Sequence, residues 1–140
     1  MRLAKDKGQL GYMSPYVWMF ISSYENLRDF VINKKTLTSL VQLEYSGFAG
    51  ATVPICTYTI LNHHVPEYLS SFIRLSDFRG AENQGPKTKE AINNPDCGWY
   101  YTAKPDDFQK IPGGPIAYWV SDSICDLFVI EGPISKKADA

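Results

Sequence analysis

The run Leu37–Leu61, LTSLVQLEYSGFAGATVPICTYTIL, limits the fold more than any other stretch of the chain. Both of its ends are strand-formers. In Leu37–Leu43 an extended backbone places Leu37, Ser39, Val41 and Leu43 on one side and Leu40 on the other. Val53–Leu61 is dense in β-branched and aromatic side chains, which pack well on a pleated surface. The short connection predicts neighbouring or near-neighbouring strands, antiparallel to each other. Between them lies Ser46-Gly47-Phe48-Ala49-Gly50, small residues around one large ring. Glycine tolerates backbone angles that other residues resist, so Phe48 can ride on a tightly bent loop. Such a ring either tucks into the core, as buried aromatics usually do, or is held out for a ligand.

The chain on either side reads as mixed α/β. Leu10–Pro15 is expected to be a short buried strand stopped by its proline. Ser22 followed three residues later by Glu25 has capping-box spacing. The helix that follows shows an apolar stripe of Tyr24, Leu27 and Val31 with Phe30 beside it, and ends in Lys34 and Lys35, as the helix dipole favours. Strand, helix and strand make a right-handed crossover if the two strands are parallel. Tyr68–Leu75 alternates like a strand with one greasy face, and Ser76–Pro86 reads as loop. Lys87–Ile92 is a turn or two of helix, broken by Asn93-Asn94-Pro95-Asp96. Trp99–Ala103 is a short strand and Lys104–Phe108 a helical turn with early proline and acids. Ile111–Pro115 is irregular, Ser123–Ile130 helical, and both Met1–Gly8 and Glu131–Ala140 polar and loose.

Charge and cysteine content exclude some roles. The net charge of −1 lacks the basic excess of a free-standing DNA binder, although residues 1–40 carry six cations against three carboxylates. Cys56, Cys97 and Cys125 are far apart and form no paired metal-ligand spacing, which points to free thiols in a reducing cytoplasm. No apolar run is long enough for a signal or membrane span. His63 and His64 are adjacent, so in regular structure their side chains diverge and cannot share one metal; a surface turn explains them. Asp106 and Asp107 read as helix caps and Cys97 as an inert thiol.

Three stretches resemble one family. They are Leu37–Leu61 with Phe48 in its turn, Trp18–Arg28 (WMFISSYENLR), and Phe108–Ser121 (FQKIPGGPIAYWVS). Together they are similar to the adenine-specific DNA methyltransferases of BREX-type phage-defence systems, over about residues 11–121. One small departure is Gly114, where members often carry serine. The resemblance implies an α/β fold: the later part of a Rossmann-like methyltransferase sheet, strand-helix-strand-strand, followed by the start of a DNA-recognition region. It divides the chain into residues 1–62 as the C-terminal part of the catalytic domain, 63–110 as an irregular α+β extension, and 111–140 as the junction to the recognition region. It also implies transfer of a methyl group from S-adenosylmethionine to the exocyclic amine of a flipped adenine, against which Phe48 would stack. Trp18, Phe20, Leu27 and Arg28 match family positions as scaffold.

The rest of that chemistry is not expected in this chain. A cofactor turn needs closely spaced glycines between a strand and a helix. Glu44–Gly50 has its glycines three apart and is followed by a strand pattern. The family's Asn-Pro-Pro-aromatic loop is met only by Asn94-Pro95-Asp96, better explained as a turn. Both motifs belong upstream of residue 1 by the family pattern. The chain therefore reads as an interior fragment of a longer enzyme, with no catalytic, cofactor-binding or metal residue of its own and no cofactor bound alone. Its partners are double-stranded DNA for the intact enzyme and an upstream catalytic fragment. The alternative is a non-catalytic folding or protein-interaction fragment that needs a partner chain. Trp99-Tyr100-Tyr101 offers a base-stacking platform or, more simply, an apolar strand packed on a neighbour.

Overall fold

The computed structural model describes residues 3–50 and 52–131. Of the loose tail expected over Glu131–Ala140, Glu131 ends a helix, and residues 132–140 lie outside the described residues. Five strands, Gln9–Pro15 (β1), Thr36–Gln42 (β2), Ile55–Leu61 (β3), Ser70–Arg74 (β4) and Tyr100–Ala103 (β5), form one sheet in the order β1-β3-β2-β4-β5. The helices are Glu25–Lys34 (α1), Ala81–Asn93 (α2) and Asp122–Glu131 (α3). β3 is antiparallel to both β1 and β2, β2 is parallel to β4, and β4 is antiparallel to β5. The β2–β3 pairing is the one the Leu37–Leu61 run predicts. β1 and β2 therefore point the same way but do not touch, because β3 is inserted between them.

The faces of this sheet depart from simple alternation at one place. Pairing between β2 and β3 shifts between Leu37 and Ser39, leaving Thr38 as the extra residue of a bulge. A bulge turns every side chain beyond it to the opposite face. Leu37 thus joins Leu40, where strict alternation would separate them; both are under 2% exposed and lie in one core with Ile60, Phe72 and Met19. Thr38 and Ser39 hydroxyls both meet Thr59 Oγ1 at 2.6 Å, which satisfies the polar groups the bulge frees. The opposite face carries a second core of Ile73, Leu75 and Ala91, closed by Val41, Leu43, Phe78 and Trp99. β4 is therefore buried on both sides, not on the single face its alternation predicts: Phe72 serves one core and Ile73 the other. Parallel strands inside α/β sheets are commonly covered on both faces.

Four further expectations are corrected. β1 is an edge strand, and most of its residues are exposed instead of buried. Ser22 does not cap α1: it opens a short 3-10 turn, Ser22–Tyr24, and no side chain caps the helix. α1 then buries Arg28, Val31 and Ile32, while Tyr24, Leu27 and Phe30 are each more than 40% exposed. α2 begins at Ala81, well before Lys87, and holds Pro86 inside it. Proline lacks the N–H that would bond Glu82 O, so the helix forgoes one bond there.

Arg28 ties the segment after β1 to the segment around Gly113. Its guanidinium donates to Trp18 O at 2.9 Å, Ile21 O at 2.7 Å and Gly113 O at 2.8 Å, and the side chain is 2% exposed. Charged groups are rarely buried without such full satisfaction. Burial holds the guanidinium below the ordinary arginine pKa. On the same side of the sheet, Tyr118 donates to Gln42 Oε1 at 2.7 Å and stacks on Phe72 with ring centres 4.7 Å apart. The irregular segment after Gly113 is thereby packed onto the sheet.

Candidate functional site

β1, β2 and β4 run in one direction, so their carboxyl ends share an edge of the sheet. Ligands of open α/β sheets bind beyond that edge. The connection from β2 to β3, residues 43–54, lies there and carries Phe48. The ring is 44% exposed, and Tyr45 (56%) and Val53 (42%) are open to solvent on the same connection. Phe48 is therefore not enclosed in the core, and the loop presents three apolar side chains to solvent.

The loop is held by one buried amide. Gln84 of α2 is 5% exposed; its Oε1 accepts from the Glu44 N–H at 3.0 Å, and its Nε2 donates to Phe78 O at 2.6 Å and Gly80 O at 3.0 Å. The Glu44 carboxylate accepts from the Ser46 hydroxyl and N–H, which hold its pKa below the ordinary carboxylate value. The Gly47 N–H donates to Glu44 O at 2.8 Å. A Cβ on Gly47 would lie 2.8 Å from the Gln84 carboxamide and 2.9 Å from Glu44 O, so only glycine fits. Gly50 takes φ +81°, a left-handed angle that favours glycine. The two glycines thus serve differently, one for close approach and one for backbone hand. At the far end Pro54 O accepts from the Tyr16 N–H at 3.0 Å, anchoring the loop to the segment after β1.

The loop differs from a glycine-rich cofactor turn in what surrounds it. The space before Gly47 is filled by Gln84 from the first turn of α2, and the loop passes from strand to strand, where a cofactor turn passes from strand to helix. Asn94-Pro95-Asp96 forms a 3-10 turn in which Asn94 accepts from Asp96 N–H, as a turn reading requires. His63 and His64 lie in a surface turn, His63 Nδ1 3.6 Å from Asp6 and His64 Nδ1 3.2 Å from Lys35 O. Among the described residues no group of three potential ligands could hold a metal, and no helix is long and apolar enough to cross a membrane. Burial pushes the Cys56 thiol up to about 11, which makes it inert at neutral pH. Trp99 packs edge-on against Phe78 at 4.8 Å and donates to Lys87 O, so it serves the second core. Sequence reasoning missed Tyr45 and Gln84. Tyr45 stands three residues before Phe48 and was legible as a second ring on the loop; Gln84 gave no signal, because α2 was not expected to begin so early.

No protein-family model matches the chain. The adenine-specific methyltransferase BrxX of Escherichia coli O9:H4 (strain HS) is 32% identical over 130 residues, which is 91% of this chain and 10% of that protein. The adenine-specific methyltransferase PglX of Lacticaseibacillus casei (strain Zhang) is 28% identical over 128 residues, 89% of this chain and 11% of that protein. The chain is similar to one stretch of adenine-specific methyltransferases. It spans about a tenth of the length of these curated relatives. In three dimensions it is similar to the type I restriction-modification methyltransferase subunit of Streptococcus thermophilus, with a TM-score of 0.56 and 16% identity over 75% of this chain and 25% of that one. The α/β fold is that of part of such a subunit.

Proposed function

We propose that this chain supplies the later strands and the base-holding loop of an S-adenosylmethionine-dependent DNA adenine methyltransferase of phage defence, acting in the cytoplasm. The observation that carries the reading is the half-exposed Phe48 ring, presented at the carboxyl edge on a loop fixed through Gln84. An adenine must leave the duplex stack before its amine can be methylated, at a cost of about a few kcal/mol. Stacking on an aromatic side chain offsets roughly 1–3 kcal/mol of that cost. Residues 1–62 then belong to the catalytic domain, 63–110 extend its sheet, and 111–140 lead toward target recognition. In this reading the cofactor turn and the amine-holding Asn-Pro-Pro-aromatic loop come from parts of the enzyme outside this sequence.

A second reading, a piece that must pair with a partner to function, is favoured by one face. Tyr12, Leu27, Phe30 and Tyr58 line an open apolar groove of about 560 Å³ between β1 and α1, beside the unpaired edge of β1. The occupant we assign is the remaining catalytic segment of the same enzyme, which would extend the sheet at β1 and cover α1; the relatives' much greater length supplies such a segment. The test is Phe48→Ala and Phe48→Trp in a full-length enzyme that carries this segment. Methyl transfer to duplex DNA falls about 5- to 150-fold in Phe48→Ala, the equivalent of about 1–3 kcal/mol, and recovers in Phe48→Trp. Affinity for S-adenosylmethionine stays unchanged. Equal activity of Phe48→Ala and wild type would remove Phe48 from the site.

A further inference from the structure

Two arginines of this chain are treated in opposite ways. Arg28 spends its guanidinium on three backbone carbonyls. Arg74, the last residue of β4, makes no side-chain hydrogen bond and no ion pair among the described residues, and its Nε is shut from solvent without an acceptor. Its guanidinium lies 4.7 Å above the Trp119 ring. Trp119 is itself fixed edge-on by Tyr118 at 5.1 Å and Phe20 at 5.5 Å, and Phe20 meets Tyr16 at 6.4 Å. A guanidinium held over an indole is restrained by that contact, while its terminal N–H groups make no bond to the described residues. Leaving a half-buried charge without an acceptor is costly unless an anion arrives to take it.

The position of this row says which anion. Arg74 pairs with Gln42 at the carboxyl end of β2, where the Phe48 connection begins. Tyr16 receives the other end of that connection through Pro54 O. The row therefore runs along the same edge of the sheet as Phe48. From this we infer that Arg74, set on Trp119, binds a backbone phosphate of the DNA whose base faces Phe48. The inference rests on the methyltransferase reading and extends it: Phe48 holds the base, and Arg74 fixes the strand relative to it. Planar guanidinium donors match phosphate oxygens in pairs, and such contacts set register without reading sequence. Trp119 belongs to the segment leading out of the sheet, so the phosphate contact also bridges sheet and junction.

The experiment compares Arg74→Gln, Arg74→Lys and wild type in a full-length enzyme that carries this segment, titrating duplex DNA across a range of salt. Each phosphate neutralised contributes about 0.9 to the slope of log affinity against log salt. Arg74→Gln lowers that slope by about 1 and weakens DNA binding; Arg74→Lys keeps the slope but binds less tightly, having lost the paired geometry. Affinity for S-adenosylmethionine is the same in all three. A walk of single neutral methylphosphonates along the target strand tests the contact without relying on a variant's folding: one position weakens wild type and leaves Arg74→Gln unaffected. An unchanged slope in Arg74→Gln, no such position in the walk, or a loss of cofactor affinity in place of DNA affinity would overturn the inference. An enzyme that methylates adenine normally while showing any of these results contradicts Arg74 alone, whereas one that does not methylate adenine at all contradicts the parent reading too.

Discussion

At the scale of single residues, the loop around Phe48 depends on what glycine leaves out. Gly47 presses its Cα face against Gln84 and against Glu44 O, at distances no real side chain tolerates. Gly47→Ala must therefore displace either the buried Gln84 amide or the turn's own carbonyl. Overpacking of this kind costs about 1–3 kcal/mol, and the loss should appear in urea unfolding followed by tryptophan fluorescence. Gly50→Ala acts through its left-handed angle instead, since nothing lies within 4 Å of a Cβ there. The sequence showed that two glycines flank an aromatic; it did not show that one answers to a partner forty residues away.

At the scale of elements, α1 is informative because its apolar stripe is only partly used. Val31 and Ile32 are 2% exposed and face the core, whereas Leu27 and Phe30 are over 40% exposed and line the open groove beside β1. Ile32→Ala should cost about 2–5 kcal/mol as a core truncation. Leu27→Ser with Phe30→Ser should change stability little and should reduce self-association in sedimentation velocity, because an open apolar patch promotes it. Equal stability losses from both changes would mean that the groove is core after all. The periodicity of α1 was legible, but the direction of its stripe was misjudged, since Arg28 was not expected to outrank Leu27 for burial. β2 and β3 were legible because β-branched side chains fill them. The bulge at Thr38 was not, because Leu-Thr-Ser-Leu alternates equally well with or without it. α2 was hidden by Gly85 and Pro86, whose breaker character is overridden by packing of Gln84 and Ala91.

At the scale of the whole molecule, the sheet has two different ends. β5, the other edge strand, is packed on both faces: Tyr101 and Ala103 on the core around Phe72 and Tyr118, Tyr100 on the core of Ile73 and Leu75. β1 has an unpaired edge and, beside it, the groove under α1. An open edge next to an apolar face is where a sheet is continued or covered. The family likeness was legible from the Phe48 loop and the Gly113-Gly114 segment; the Arg28 clasp that joins Trp18–Arg28 to Gly113 was visible only once the chain was folded. The central claim is that these strands complete a methyltransferase they cannot form alone. The most direct measurement is methyl transfer from labelled S-adenosylmethionine to duplex DNA, by the chain alone and after mixing with the remaining catalytic segment of the Escherichia coli relative. The account predicts no transfer and no calorimetric cofactor binding by the chain alone, and transfer in the mixture that falls when Phe48 is replaced by alanine. Methyl transfer by the chain alone, or a mixture indifferent to Phe48, would contradict it.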